Sequence, residues 1–241
     1  MIAGLLSAAA LGAAPAAGGE TCRRMTFRDA DYTVCVFDPK TDRLSLRNLD
    51  AAGRPFGSFA RLREAVEAEG RQLTFAMNAG MYESDLTPVG LYVEQGREAK
   101  ALAPGGGYGN FYLRPNGVFF LAGDRAGVME TEAFAAASPE VDYATQSGPM
   151  LVIDGELHPA FLPDGTSRHI RNGVGVGPDG KAIFAISESP VNLYDFALLF
   201  RDALQARNAL FLDGAISSLY ALGREDAGHP MGPIVAVTTA R

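Results

Sequence analysis

No stretch of this chain gathers lysine and arginine onto one face. Its 21 basic residues stand against 28 acidic ones, leaving a net charge of −7 and a pI near 5.0. That balance excludes a protein whose affinity rests on the phosphate backbone of a nucleic acid. Cysteine is scarce as well: Cys22 and Cys35 are the only two, without nearby histidines, and make too few donors for a zinc site. His158, His169 and His229 show no H-x-x-x-H spacing, and no G-x-S-x-G elbow occurs. One glycine motif is deceptive. Gly175, Gly177 and Gly180 match G-x-G-x-x-G, and the run to Lys181 nearly matches a P-loop, but both motifs need a helix after the glycines. Here Pro178-Asp179-Gly180 reads as a hairpin turn and KAIFAI as a strand, with Ala182 where a P-loop carries its magnesium-binding hydroxyl.

What is present is ordinary globular material, 47% hydrophobic and 20% charged with 14 Phe and 8 Tyr, enough for one large core and a single domain. Residues 1–19 are a separate piece, nearly all Ala, Leu and Gly, with no charge before Glu20. The apolar run is short for a spanning helix, and Ala14-Pro15-Ala16 supplies an A-x-A cleavage site near 16/17. We read it as a signal peptide, with the mature domain at 20–241 exported to the periplasm or secreted and not inserted in a membrane after processing. Gly19-Glu20-Thr21 before Cys22 is a poor lipidation context. In an exported chain Cys22 and Cys35 are expected to form a disulfide tying the N-terminus to the first strand; two free thiols are the alternative.

Residues 32–37 and 44–49 alternate apolar and polar side chains around DPKTDR and read as a hairpin. Ser58 caps a helix to about Glu69, with Phe59, Leu62 and Val66 on one face and Gly70 as its stop. The next strand, 72–77, delivers Asn78. Hairpins follow at 89–94/97–102 about Gln95-Gly96, at 111–121, about Asp154-Gly155, and at 174–186. The clearest helical stripe runs over 193–206 behind Asn192, and strands at 209–212 and 234–238 close the chain. The class is α+β: a mixed, hairpin-rich sheet core with a few flanking helices.

Chemistry concentrates where strands end on polar residues. In ALFLDGAISSLY, burial of Leu210 and Leu212 fixes Asp213 at a strand end beside a Gly and Ser loop. FAMNAGMY, ATQSGPMLVIDG and RNGVGVGPDG share that form. If Gly177 faces Ala182 in the hairpin 170–188, Arg171 stands opposite Glu188. Gly173, Gly175 and Gly177 then leave bare backbone on the same face, for a packed neighbour or an anion held by the guanidinium. Each residue also has a structural reading: a cross-strand ion pair for Arg171 and Glu188, a turn for Asn78 and Asp213, a helix start for Ser217 and Ser218, backbone satisfaction for Gln146 and Ser147.

Taken in order, MNAGMY, GNFYLRPNGVFF, QSGPMLVIDG, RNGVGVGPDG, ISESPVNLYDFA and NALFLDGAISSLY resemble the phosphodiester glycosidase family, in its bacterial exported branch. The resemblance runs from about Tyr32 to the C-terminus. It implies a single α+β domain that hydrolyses a sugar-1-phosphodiester to free sugar and phosphomonoester. It places Asp213, Glu188 and Arg171 as catalytic residues, with Arg171 gripping the phosphate, Asp213 as nucleophile or base and Glu188 as acid or base. Asn78, Gly80, Gln146, Ser147, Gly148, Asn172, Gly214, Ser217 and Ser218 are implied to bind substrate. The family loop often reads LDGGGSS; Ala215 and Ile216 stand here instead, a departure that narrows the pocket or shifts specificity. No cofactor is expected to be required, though Asp213, Glu188 and Asn78 would admit calcium or magnesium through oxygen. The competing classes are a non-catalytic binding module for anionic envelope glycans and an acyl esterase built on Ser147 or Ser217.

Overall fold

Apolar residues in this chain recur mostly at period two, and the structure is accordingly built from strands. A computed structural model describes residues 21–103, 106–213 and 216–241; the segment read as a signal peptide lies outside them. The chain runs through β1 (Cys22–Phe27), β2 (Ala30–Phe37), β3 (Arg43–Arg47), α1 (Phe59–Ala68), β4 (Arg71–Asn78), β5 (Tyr92–Glu94) and β6 (Arg97–Lys100). It continues through β7 (Gly117–Ala122), β8 (Arg125–Glu130), α2 (Thr131–Ala137), β9 (Tyr143–Ser147), β10 (Met150–Ile153), β11 (Glu156–Leu157), β12 (Asn172–Val176) and β13 (Ala182–Ser187). Last come α3 (Leu193–Leu198), β14 (Asn208–Asp213), β15 (Leu219–Ala221), β16 (Arg224–Glu225) and β17 (Ile234–Ala240). These strands form three sheets, ordered β1-β2-β13-β12-β14-β10-β11, β16-β15-β4-β17-β3 and β6-β5-β9-β7-β8. The class is α+β and sheet-rich.

The three sheets turn one face each toward a shared core. Val174, Phe184 and Leu210 come from the first sheet, Leu46, Phe75 and Val235 from the second, and Tyr92, Phe119 and Leu121 from the third. Phe75 and Phe119 both pack on Phe184, at 5.3 and 5.6 Å between ring centroids. Fully burying such a ring is worth about 1.5–3 kcal/mol. Each outer face then takes one helix: α3 covers the first sheet, α1 the second and α2 the third. Helix α1 starts where Ser58 accepts the Arg61 amide and buries Phe59, Leu62 and Val66; Gly70 ends it at φ 72°. Asn192 caps α3 through the Asp195 amide, and a wide turn at Leu199–Ala203 follows. The sequence pattern missed α2, whose run TEAFAAA offers only Phe134 as a large apolar anchor.

The expected disulfide is present, joining Cys22 and Cys35 where they pair across β1 and β2. Three expectations are corrected. Residues 32–37 and 44–49 are not a hairpin: Thr41 and Asp42 amides close a turn on the Asp38 carbonyl, and the chain leaves the first sheet for the second. Nor do residues 111–121 form one. The Pro115-Asn116-Gly117 turn precedes β7, Asn116 donates to the Phe111 carbonyl, and β7 pairs with β8 and β9 instead. The third is a slip of one residue. Asn172 faces Ile186 and Val176 faces Ala182, so Arg171 lies opposite Ser187, not Glu188. Because side chains alternate, that slip sends Arg171 and Glu188 to opposite sheet faces. The glycine groove is filled by protein. A Cβ on Gly175 would stand 2.8 Å from Ala206 and 2.9 Å from Phe200; one on Gly173 would meet the Leu210 carbonyl at 2.9 Å.

Gly175→Val is therefore expected to destabilise the fold by about 2 kcal/mol through overpacking against Phe200 and Ala206. The Cys22→Ser/Cys35→Ser double variant should lose about 3 kcal/mol from opening a short loop. Urea denaturation of each against wild type measures both.

Candidate active site

Three strand ends from two sheets meet at one buried amide. Asn172 opens β12, and its Nδ2 donates to the Asn78 carbonyl at 2.8 Å and to Asn78 Oδ1 at 3.0 Å. Its Oδ1 accepts the Asp213 amide at 3.0 Å and faces Ser217 Oγ at 3.4 Å. Ser217 Oγ also reaches the Asp213 and Ile170 carbonyls, at 2.7 and 3.0 Å. The Ser218 amide donates to Asn78 Oδ1 at 2.8 Å. A β-bulge between β12 and β14 sets Asp213 opposite Asn172. From the third sheet, Ser147 at the end of β9 donates to the Leu212 carbonyl at 2.6 Å. Asn78, Ser147, Asn172 and Asp213 are all buried.

Two donors on this framework have no partner among the described residues. The two N–H groups at Asn78 Oδ1 fix that amide's orientation, which leaves its buried Nδ2 without an acceptor. Arg171, only 1% exposed, donates Nε to the Val191 carbonyl and one terminal nitrogen to the Ser167 carbonyl, at 2.8 and 2.7 Å. Its guanidinium lies 5.3 Å from the Phe211 ring centroid. The other terminal nitrogen, Nη1, is buried and unpartnered. Burial pushes the Arg171 pKa down to about 10. Glu188 stands apart from this cluster: it accepts Thr33 Oγ1 and, at 3.0 Å, the Arg224 guanidinium.

The phosphodiester glycosidase family model matches residues 71–238, a span holding every one of these groups except Thr33. The chain belongs to the phosphodiester glycosidase family. It is 40% identical over 192 residues to the uncharacterized protein YigE of Escherichia coli (strain K12), covering 80% of this chain and 74% of that one. Its fold is similar to the catalytic domain of zebrafish N-acetylglucosamine-1-phosphodiester alpha-N-acetylglucosaminidase, with a TM-score of 0.56 at 15% identity over 90% of this chain and 81% of that one. A hypothetical protein from Synechocystis gives a TM-score of 0.57 at 15% identity; 90% of this chain is covered and spans 61% of that one.

Other residues named from the sequence take scaffolding positions. Gln146 turns away from the cluster: its Oε1 accepts the Leu91 and Ala103 amides and its Nε2 donates to the Ala103 carbonyl. Gly80 and Gly148 allow close approach, since a Cβ would fall 2.3 Å from Thr145 Oγ1 and 2.6 Å from Asn116 Cβ. Gly214 and Ala215 lie outside the described residues. The Ser147 and Ser217 hydroxyls donate to backbone carbonyls, and neither is bonded to a histidine, which disfavours an esterase. Sequence reasoning missed Tyr82, although it closes the quoted MNAGMY segment. Its hydroxyl donates to the Pro230 carbonyl at 2.8 Å, and burial, then the nearby Asp213 charge, pushes its pKa up to about 12.

Replacing Asn172 by leucine strands the Asp213 amide and the Asn78 carbonyl. It is expected to cost about 3 kcal/mol in urea denaturation. Asp213→Asn removes a negative charge facing Tyr82, so the Tyr82 pKa should fall while staying above its ordinary value, because burial is the larger cause. Alkaline absorbance titration of Asp213→Asn, with and without Tyr82→Phe, reads this directly.

Proposed function

We propose that this chain is an exported hydrolase that cleaves a sugar-1-phosphodiester to free sugar and phosphomonoester. One observation carries the reading: Asn78 Nδ2 and Arg171 Nη1 are buried donors with no partner among the described residues. A substrate rich in oxygen and carrying one negative charge supplies acceptors for both. Asp213 serves as nucleophile or base at the sugar C1. Arg171 draws charge from the leaving oxygen through the N–H groups of Nη1, and Asn78 and Ser218 orient phosphate or hydroxyl oxygens. The sugar C1–O bond breaks, its electrons leave on the phosphate, and water supplies the new hydroxyl. A phosphomonoester has a second pKa of about 6, so it leaves without a strong general acid. Glu188, held by Arg224 and Thr33, is accordingly given no proton-transfer step here.

Export is supported by the Cys22–Cys35 disulfide, since such bonds persist in oxidising compartments. No helix of the described residues is long and apolar enough to cross a membrane. We further propose that turnover needs no metal ion and survives EDTA.

The purified chain should release product from a panel of p-nitrophenyl- and UMP-linked sugar-1-phosphodiesters, and Asp213→Asn should lose roughly a thousandfold in kcat/KM. In heavy-oxygen water the label should enter the sugar. Label in the phosphate product refutes attack at C1. Tight binding with no turnover by wild type returns the chain to the glycan-binding class.

A further inference from the structure

The serine loop is held from outside the Asn172 cluster by two residues that no motif marks. The amide of Leu219, next after Ser218, donates to Asp226 Oδ2 at 2.9 Å, and the Asp226 amide returns a bond to the Leu219 carbonyl at 3.1 Å. Arg224 lies side-on to that carboxylate, with Nε 2.7 Å from Oδ1 and Nη2 2.6 Å from Oδ2. Its remaining arm, Nη1, meets both oxygens of Glu188 at 3.1 and 3.0 Å. Glu188 in turn accepts Thr33 Oγ1 from β2. One guanidinium thus spans two carboxylates and two sheets, and the chain of bonds ends on the amide beside Ser218.

We propose that Arg224 and Asp226 are positioning residues, and that Glu188 works with them instead of on substrate. The three form a clamp that holds Leu219 and so sets Ser218 against Asn78. A buried core contact has no freedom to fine-tune a loop, whereas this clamp is partly exposed, with Arg224 and Glu188 side chains 29% and 28% accessible. It reaches only one amide of the loop. Arginine is required because a planar fork can serve Asp226 side-on and Glu188 end-on together; the point charge of lysine cannot. The effect on turnover rests on the function proposed above. The clamp itself does not.

Glu188→Gln, Arg224→Lys, Arg224→Gln and the double variant Glu188→Gln/Arg224→Gln test this in the full chain. Hydrogen–deuterium exchange of the peptide covering Ser218 and Leu219 should speed up about tenfold in every variant, with the strands of the core unchanged. On a substrate turned over by wild type, kcat should fall about ten- to a hundredfold while KM and both limbs of the pH profile hold. The double variant should be no worse than Arg224→Gln alone. Unchanged exchange at Leu219 in all variants overturns the proposal. So does loss of turnover and of a pH limb in Glu188→Gln with Arg224→Gln near wild type, because Glu188 then acts on substrate. If wild type hydrolyses nothing in the panel, exchange alone decides the clamp, and only the proposed function falls.

Discussion

The side chain of Asn172 is the constraint on which the rest of the site hangs. A primary amide offers two donors and two acceptor positions, and here the donors go to Asn78 while Oδ1 takes the Asp213 amide, with Ser217 Oγ 3.4 Å away. No other neutral side chain of that size offers two donors beside an acceptor with two lone pairs. A polar group buried this deeply is costly unless it is satisfied, and Asn172 is satisfied entirely by protein. Its role is therefore to hold other groups in place. The backbone of Asp213 and the amide of Asn78 are pre-set by this asparagine.

Arg171 shows the opposite condition. It spends two of its N–H groups on carbonyls and sits among Phe211, Val191 and the loop before β12, without a carboxylate partner among the described residues. A guanidinium buried this way disfavours its own charged form, which is why its pKa lies near 10 instead of its ordinary value. In linkage terms the penalty is fully present below pH 10 and is relieved only as pH rises beyond it toward the unfolded value. Across the physiological range the fold therefore carries this desolvation penalty. An anion is the natural complement to the guanidinium.

Much of this was legible in the sequence. The alternation of Leu210 and Leu212 before Asp213 announced a buried strand ending on a carboxylate, and Ser58, Phe59, Leu62, Val66 and Gly70 spelled out α1 from cap to stop. Family motifs pointed to Asn78, Asn172 and Asp213 together. What failed is instructive. The β12–β13 register hangs on whether three or four residues make the turn, and one residue decides which face Arg171 and Glu188 take. A strand pair that changes sheets, as β2 and β3 do, alternates like a hairpin and carries no local mark. Helix α2 lacks a stripe because alanines surround its lone Phe134. Arg224 opens a two-residue strand and Asp226 follows it, too short a run for any periodicity to show. Those failures share one cause: long-range pairing chooses among local patterns that look alike.

Each of the three sheets contributes a residue to the one junction: Asn78 from the second, Ser147 from the third, Asn172 and Asp213 from the first. The first sheet pairs Asn172 with Asp213, but no single sheet holds the whole junction. A chain in which one sheet has yet to dock holds the same residues in the same order with their donors and acceptors scattered. Competence at this junction thus requires all three sheets to be docked. An assay of it would report, more sensitively than the amount of secondary structure, whether the whole domain has closed.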